Sequence, residues 1–430
     1  MELDLDHIQG NIVPGFSKDH QTFVVARFRD ADAGRTWLAA LQPVLASANE
    51  VQGFKTTFSS LRARKPHPGE HDDGALNHVS ATWVNLALSY EGLRLLVGED
   101  RLGGFPPTFR ANRVPAADVA DDNHALLIVA ADHVADLEAQ LDRQRERMAR
   151  AGVSEVLAFN GATLPGDQRG HEHFGFKDGV SQPSVAGTPW GNGPPVAGGE
   201  FVLGYSDQTG QTSGAGLPSW TQNGSFLAFL QLQQHVATFW SVMKQQARQF
   251  GVQPEDVAAW IVGRKRDAAG TQLSDPPARV SHVGRGYARW LPPSESSRHR
   301  IIRRGIPYGT PWVEGEPDDG QRGLLFVAYQ ADIKRQFEHV WHQWLNAPGF
   351  PIASAGRDAL VGQTSWPARP AATGTRPTVA ARAGQTGRMV SMNLPAFVTP
   401  GYGGYFFAPA IDALSHIASV APTTTRRPRA

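Results

Sequence analysis

The chain has 430 residues, of which 41% are hydrophobic and 19% are charged, and its formal net charge at pH 7 is +1. This length exceeds what one hydrophobic core usually serves, so two domains or one large double domain is expected. The near-neutral charge provides no global attraction to nucleic acid or to an anionic membrane, and we expect neither as a partner.

The sequence contains no cysteine. Disulfides, iron–sulfur clusters, thiolate-ligated haem and c-type haem attachment are therefore excluded, and histidine is the expected ligand of any bound haem. The first six residues are acidic and lack the basic and apolar regions of a secretory signal. No run reaches the roughly eighteen apolar residues of a membrane span. We therefore expect a cytoplasmic protein, unless a signal was removed before this numbering begins.

Strand and helix patterns alternate in the first half of the chain. Strand patterns cover residues 22–28, 81–89 and 124–131. Helical spacing covers residues 33–45, 90–97 and 132–151, and Gly152 ends the last of these. We interpret these elements as the β-α-β-β-α-β arrangement of the ferredoxin-like fold.

The second half repeats this pattern. Strands are predicted at 225–232, 323–330 and 403–408, and helices at 236–250 and 332–346, the latter with Asp332 as its N-cap. The predicted class is α+β, with two ferredoxin-like halves (antiparallel sheets with peripheral helices) at 1–200 and 201–412. A Gly/Pro-rich stretch at 187–200 joins them. We expect a surface loop at 365–387 and a disordered tail at 413–430.

Four separated segments carry polar residues in unusual patterns. They read FGFKDGVSQP (174–183), PARVSHVGRGYAR (277–289), SRHRIIRRGIPYG (297–309) and GRDALVGQ (356–363). Taken singly, each has an ordinary interpretation: Asp178 as a turn cap, His282 as a surface or core histidine, and the basic run as a solvated strand. The combination is much more specific than any one of them.

Together these segments resemble the dye-decolourising peroxidases, haem enzymes that carry an aspartate where other peroxidases carry a distal histidine. The resemblance begins at residues 6–16 and reaches residue 363, and RRGIPYG is similar to the longer bacterial and fungal branch. It implies one non-covalent haem b per chain, enclosed by the two halves. It also implies hydrogen peroxide as oxidant and bulky aromatic reductants: anthraquinone dyes, phenols and lignin-like compounds.

Two other functions remain open at this point. One is a haem-binding or iron-releasing protein with little peroxidase turnover. The other is a haem-free binding module, since fold alone does not determine function. The oligomeric state is also open, homo-oligomers included.

On the proximal side, the resemblance implies that His282 is the axial ligand of the haem iron. Asp358 is then the carboxylate that accepts the other ring proton of this histidine and gives it imidazolate character. Arg285 and Arg289 match family arginines that contact the cofactor.

On the distal side, the resemblance implies that Asp178 is the acid–base group and that Arg303 stabilises negative charge on the leaving oxygen. Neighbouring residues of an extended segment face opposite sides, so Arg304 should face away from the pocket. Leu324 and Phe326 match residues that narrow the distal cavity.

Large reductants must then donate electrons at the surface, and Tyr308 is the first candidate for the relay. Trp341 and Trp344 are weaker candidates, because their helical positions favour core packing. His171 and His173 form a His-x-His pair, but a zinc site would need further spaced ligands.

Overall fold

The computed structural model describes residues 2–63, 80–115, 117–118, 123–191, 193–273, 281–286, 291–318, 320–353, 355–362, 376–383 and 388–420. Within these ranges, no helix is both long enough and apolar enough to cross a membrane.

The first half of the chain forms a ferredoxin-like unit. Its strands are β1 (His20–Phe28), β2 (Trp83–Leu88), β3 (Ala125–Ala131) and β4 (Val153–Ala162). Its helices are α1 (Ala31–Leu41), α2 (Ala48–Ala63), α3 (Tyr90–Val97), α4 (Pro107–Ala111) and α5 (Val134–Ala151). The strands lie side by side in the order β4-β1-β3-β2, all antiparallel. Gly152 ends α5 in the left-handed conformation (φ 81°), as the sequence predicts.

A connecting region precedes the second half and contains two short parallel strands, β5 (Ser184–Val185) and β6 (Pro195–Val196). The next elements are β7 (Ser225–Gln234), α6 (Val236–Phe250), α7 (Pro254–Val262), α8 (His282–Gly286), α9 (Pro293–Ser297), β8 (Ile302–Arg303), β9 (Ile306–Tyr308) and β10 (Gly323–Gln330). They are followed by π-helical turns at Lys334–Glu338 and Val340–Leu345, then β11 (Arg376–Ala383), β12 (Arg388–Leu394), β13 (Val398–Ala408) and α10 (Ala413–Ser419).

The two halves share one nine-stranded sheet. The second half contributes the order β13-β7-β10-β8, with β9 also paired to β10, and β13 joins β2 through Phe407 and Leu88. At the far edge, Gly161 of β4 lies against Ile306 of β9. The sheet therefore curls until its two outer edges approach each other, and the chain has the predicted α+β class.

Each face of the sheet carries its own apolar layer, because the side chains of a strand alternate between faces. One layer includes Phe28, Leu127 and Leu230, and it is covered by helices. The other includes Phe23, Phe229 and Tyr329, and it is covered by the N-terminal segment. The candidate site lies in the first layer.

The structure corrects three predictions. The helix expected at 332–346 is π-helical, since the amide of Glu338 donates to the carbonyl of Ile333 (2.9 Å), although Asp332 does accept from the amide of Arg335 (2.9 Å). Residues 376–383 of the expected loop form β11, paired with β12, because cross-strand pairing stabilises a segment with weak alternation of its own. The expected tail begins with α10, which buries Leu414 and Ile417; residues 421–430 lie outside the described ranges.

The basic run also differs from expectation. Its ordinary interpretation is a solvated strand, yet the segment 297–309 contains the end of α9 and only the short strands β8 and β9. Arg303 in β8 and Arg304, the residue directly after it, face opposite sides of the sheet.

Candidate active site

A cavity of about 250 Å³ lies on the helix-covered face of the sheet. Leu230 and Leu232 of β7 line it together with Leu324 and Phe326 of β10. In the register of the two strands, Leu324 is opposite Leu232 and Phe326 is opposite Leu230. Alternate residues of both strands therefore build one flat apolar wall.

His282 is the first residue of α8 and lines this cavity, where 34% of its side-chain surface remains exposed. Its Nδ1 lies 3.1 Å and 3.2 Å from the two carboxylate oxygens of Asp358, which is fully buried. Asp358 Oδ1 also accepts from the amides of Leu360 (3.0 Å) and Val361 (2.9 Å). Because a carboxylate only accepts, Nδ1 carries the proton and Nε2 keeps its lone pair.

The electrostatics of this pair favour a charged aspartate. Burial lowers the pKa of His282, but the charge and hydrogen bonds of Asp358 outweigh it, so the pKa is raised overall. Burial raises the pKa of Asp358, but His282 and neighbouring donors outweigh it, so the pKa is lowered overall. A charged Asp358 increases the electron density of the histidine ring and so makes Nε2 a stronger ligand.

The distal loop, residues 172–182, forms another part of the cavity lining. Asp178 lines the cavity, and its Oδ1 accepts from the amide of Gly179 at 2.6 Å. Gly175 has a positive φ of 94°, and the guanidinium of Arg266 occupies the space that a side chain at Gly175 would need. The glycine therefore allows the loop to pack under Arg266.

Arg303 also lines the cavity and is bonded to the distal loop. Its Nη2 donates to the carbonyl of Val180 (3.0 Å), and its backbone amide and carbonyl bond the side chain of Gln182 (3.1 Å and 2.9 Å). Arg304 instead donates to the carbonyls of Asn11 (3.0 Å) and Ile12 (2.9 Å). The two arginines face opposite sides of the sheet, as extended geometry predicts.

Two further arginines line the cavity and are not among the residues predicted from the sequence. Arg264, only 6% exposed, donates to Ser181 Oγ (2.9 Å) and to the carbonyl of Gly270 (2.7 Å). Arg300 donates to the carbonyl of Ser181 (3.1 Å). Arg300 stands within the basic run, so its position was a signal, whereas nothing in the sequence around Arg264 indicated the site.

Arg285 and Arg289 were predicted to contact the cofactor, but the described part of the structure places neither of them at the cavity. Arg285 is fully buried but does not line the cavity; its guanidinium donates to the carbonyls of Phe350 (2.7 Å) and Ala355 (2.9 Å). The structure thus places it behind the wall that carries His282, because buried backbone carbonyls engage its donors. Arg289 lies outside the described residues.

The three relay candidates lie in different surroundings. Tyr308 in β9 is partly buried and does not line the cavity, and its carbonyl accepts from His173 Nε2 (2.8 Å). Trp341 lines the cavity, whereas Trp344 is buried with its ring edge-on to the stacked rings of His299 and His339. A relay role stays a prediction for each of them.

The residues present fit a haem. The cavity combines apolar walls with the basic side chains of Lys177, Arg264, Arg300 and Arg303, which suits a flat apolar ring with anionic substituents. Trp341 Nε1 is buried without a hydrogen-bond partner in the described part of the chain. Such a donor costs about 1–3 kcal/mol unless a bound group accepts from it. His282 Nε2 would be the iron ligand.

Comparisons with known proteins agree with this geometry. The family model described as "DyP dimeric alpha+beta barrel domain" matches residues 7–165, and "Dyp-type peroxidase, C-terminal" matches residues 206–350. Together they span more than half of the chain. The chain belongs to the dye-decolourising peroxidase family.

Individual relatives match over nearly the whole length. A dye-decolorizing peroxidase of Exidia glandulosa is 28% identical, covering 96% of this chain and 87% of the relative. The multifunctional dye peroxidase DyP2 of an Amycolatopsis species is 26% identical, with 95% of each chain covered. The solved structure of an ancestral D-type dye decolorizing peroxidase has 28% identity and a TM-score of 0.81, covering 98% of this chain and 100% of that one. The chain is therefore a peroxidase of the dye-decolourising type.

Proposed function

We propose that this peroxidase binds one non-covalent haem b through His282 Nε2 and uses it to reduce hydrogen peroxide, with bulky aromatic compounds as reductants. The observation that carries the proposal is that His282, whose Nδ1 is bonded to the buried Asp358, lines the same cavity as Asp178 and Arg303. The distal loop belongs to the proposed first half, 1–200, and His282 to the second, 201–412. The complete cavity requires both halves.

When bound, the haem supplies an iron that takes up the oxidising equivalents of peroxide. Asp178 accepts the proton from one peroxide oxygen and delivers it to the other, which leaves as water. The Arg303 guanidinium offsets negative charge on that leaving oxygen without giving up a proton. Asp358 holds the proton on His282 Nδ1, so that Nε2 stays available throughout.

The wall of Leu230, Leu232, Leu324 and Phe326 favours a small oxidant over a large dye. Bulky reductants, such as anthraquinone dyes, phenols and lignin-like compounds, then react at the surface. Tyr308 is the proposed relay because a phenol can be oxidised and reduced again.

The proposal is tested by absorbance spectra and peroxide-dependent dye oxidation on the same preparation. The parent protein is expected to show a Soret band and turnover. His282→Ala is expected to lose the haem or to bind it weakly, and His171→Ala, a histidine outside the cavity, serves as the matched control. Full haem occupancy with an unchanged Soret position in His282→Ala would refute the assignment. A Soret band with iron release and no dye turnover would indicate the iron-releasing alternative.

A further inference from the structure

Glu172 stands at the start of the distal loop and has no role in the proposed reaction. Its Oε1 accepts from the amide of Phe176 (2.8 Å) and its Oε2 from the amide of Phe174 (2.9 Å). Its own amide donates to the carbonyl of Phe176 (2.9 Å), and its carbonyl accepts from the amide of Gly175 (2.8 Å). One residue thus closes the turn that ends two positions before Asp178.

The same carboxylate is tied to the sheet. Gln234 Nε2, from the last residue of β7, donates to Glu172 Oε2. Gln234 is 6% exposed and, like Glu172, lines the cavity, where it continues the alternating row of Leu230 and Leu232. Gln234 Oε1 is buried without a hydrogen-bond partner in the described residues. The side-chain amide therefore bonds the protein through Nε2, which donates to Glu172. Glu172 therefore connects the distal loop to a central strand of the sheet.

The hydrogen bonds to the Glu172 carboxylate stabilise its ionised form. The pKa of Glu172 is raised to about 7, because burial, and to a smaller extent the charge of Asp178, outweigh the three N–H donors that lower it. Without those donors, burying the ionised group would be still less favourable. The hydrogen bonds that shape the turn thus offset part of the cost of ionising this buried carboxyl group.

We propose that Glu172 is the positioning residue for Asp178, and that Gln234 anchors it to β7. The inference rests on the proposed function, in which Asp178 moves a proton between peroxide oxygens. Substitution of Glu172 or Gln234 would keep the carboxylate of Asp178 in the protein. It would allow that carboxylate to move away from the position in which it transfers the proton. A misplacement of this kind lowers a rate without removing a reacting group.

A double-mutant cycle on the haem-loaded enzyme tests this. The bimolecular rate constant with hydrogen peroxide is measured by stopped flow for the parent, Glu172→Gln, Asp178→Asn and the double variant. Glu172→Gln is expected to lower the rate constant about 10-fold when Asp178 is present, and less than about twofold in the Asp178→Asn background. The same loss in both backgrounds would overturn the proposal. A purely structural role would produce that equal loss.

Gln234→Leu provides the second test, in case Glu172→Gln does not fold or load haem. Gln234→Leu is expected to lower the rate constant with hydrogen peroxide when Asp178 is present, and to lower it much less in the Asp178→Asn background. Its haem content and Soret position should equal those of the parent. Gln233→Leu is the matched control, because Gln233 precedes Gln234 on the opposite face of β7 and does not line the cavity. A parent-like rate constant in Gln234→Leu would contradict the anchoring role. A parent-like rate constant in Asp178→Asn would instead overturn the proposed function of Asp178, and this inference with it.

Discussion

Arg303 Nη2 lies 3.0 Å from the carbonyl oxygen of Val180, two residues after Asp178. The bond joins the proposed charge stabiliser to the loop that carries the proposed acid–base group. Because Gln182 also bonds the backbone of Arg303 in both directions, the loop and β8 are held in a fixed relation. Loss of the Arg303 side chain should therefore remove a charge and loosen the loop together.

Arg303→Leu is expected to retain haem but to react with peroxide roughly 10²–10³-fold more slowly, by analogy with loss of one oxyanion donor. Asp178→Asn should slow the reaction less, because it keeps the loop bonds of Arg303. Stopped-flow mixing with peroxide measures both. Arg169→Leu, an exposed arginine paired with Asp19, is the control. A parent-like rate for Arg303→Leu would contradict the mechanism.

Asp358→Asn should weaken haem binding or activity by roughly 10–100-fold, because an amide donor or a neutral acceptor cannot replace a charged partner of His282 Nδ1. The reduction potential of the bound haem is expected to rise, since the ring loses imidazolate character. Haem titration and spectroelectrochemistry measure the two effects. An unchanged potential in a fully loaded variant would show that Asp358 does not act through His282.

Tyr308→Phe is expected to depress oxidation of bulky dyes while leaving the reaction with peroxide and with small phenols nearly intact. The reason is chemical: a phenol can be oxidised to a radical and reduced again, whereas phenylalanine at the same position is far harder to oxidise. Steady-state rates with one bulky dye and one small phenol are compared. Equal dye turnover by the variant and the parent would rule out Tyr308 as the main relay.

Lys55, which does not line the cavity, makes a pH-dependent contribution to the free energy of unfolding. The pKa of Lys55 is lowered to about 8, chiefly by burial and to a smaller extent by the charges of Arg304 and Lys18. Ser17 Oγ accepts a hydrogen bond from Lys55 Nζ at 2.9 Å. Between that pKa and the unfolded value of 10.5, the unfolded chain binds more protons than the folded one, so stability rises with pH.

Lys55→Met removes the ammonium group and, with it, this pH dependence of the free energy of unfolding. At pH 7 the variant should be more stable than the parent by about 1–2 kcal/mol, after allowance for the lost bond to Ser17. The difference should shrink as pH rises from 8 towards 10. Denaturant unfolding across this range measures it. Lys244→Met in α6 is the control, because 44% of the Lys244 side-chain surface is exposed. A pH-independent difference would show that the ammonium of Lys55 is not the cause.

Much of the fold is readable from the sequence, because local patterns report local structure. Runs of strand-forming and apolar residues located β1, β3, β7 and β10, and helical spacing with Gly152 located α5 to its last residue. The same periodicity could not distinguish the π-helical turns after β10, since the choice of hydrogen-bond partner is not encoded in the spacing of apolar residues. Nor could it find β11, whose pairing partner decides its conformation.

The site divides in the same way. The motifs in combination, through their resemblance to the dye-decolourising peroxidases, pointed to Asp178, His282 and Arg303. The contacts around those residues were decided by the tertiary structure: Gln234 donates to Glu172, and Arg264 donates to Ser181, across long separations in the chain. Arg285 shows the reverse, since its motif position was recognisable but packing turned its guanidinium towards buried carbonyls. Sequence specifies which chemical groups are available, whereas the direction of each side chain depends on what the folded chain brings against it.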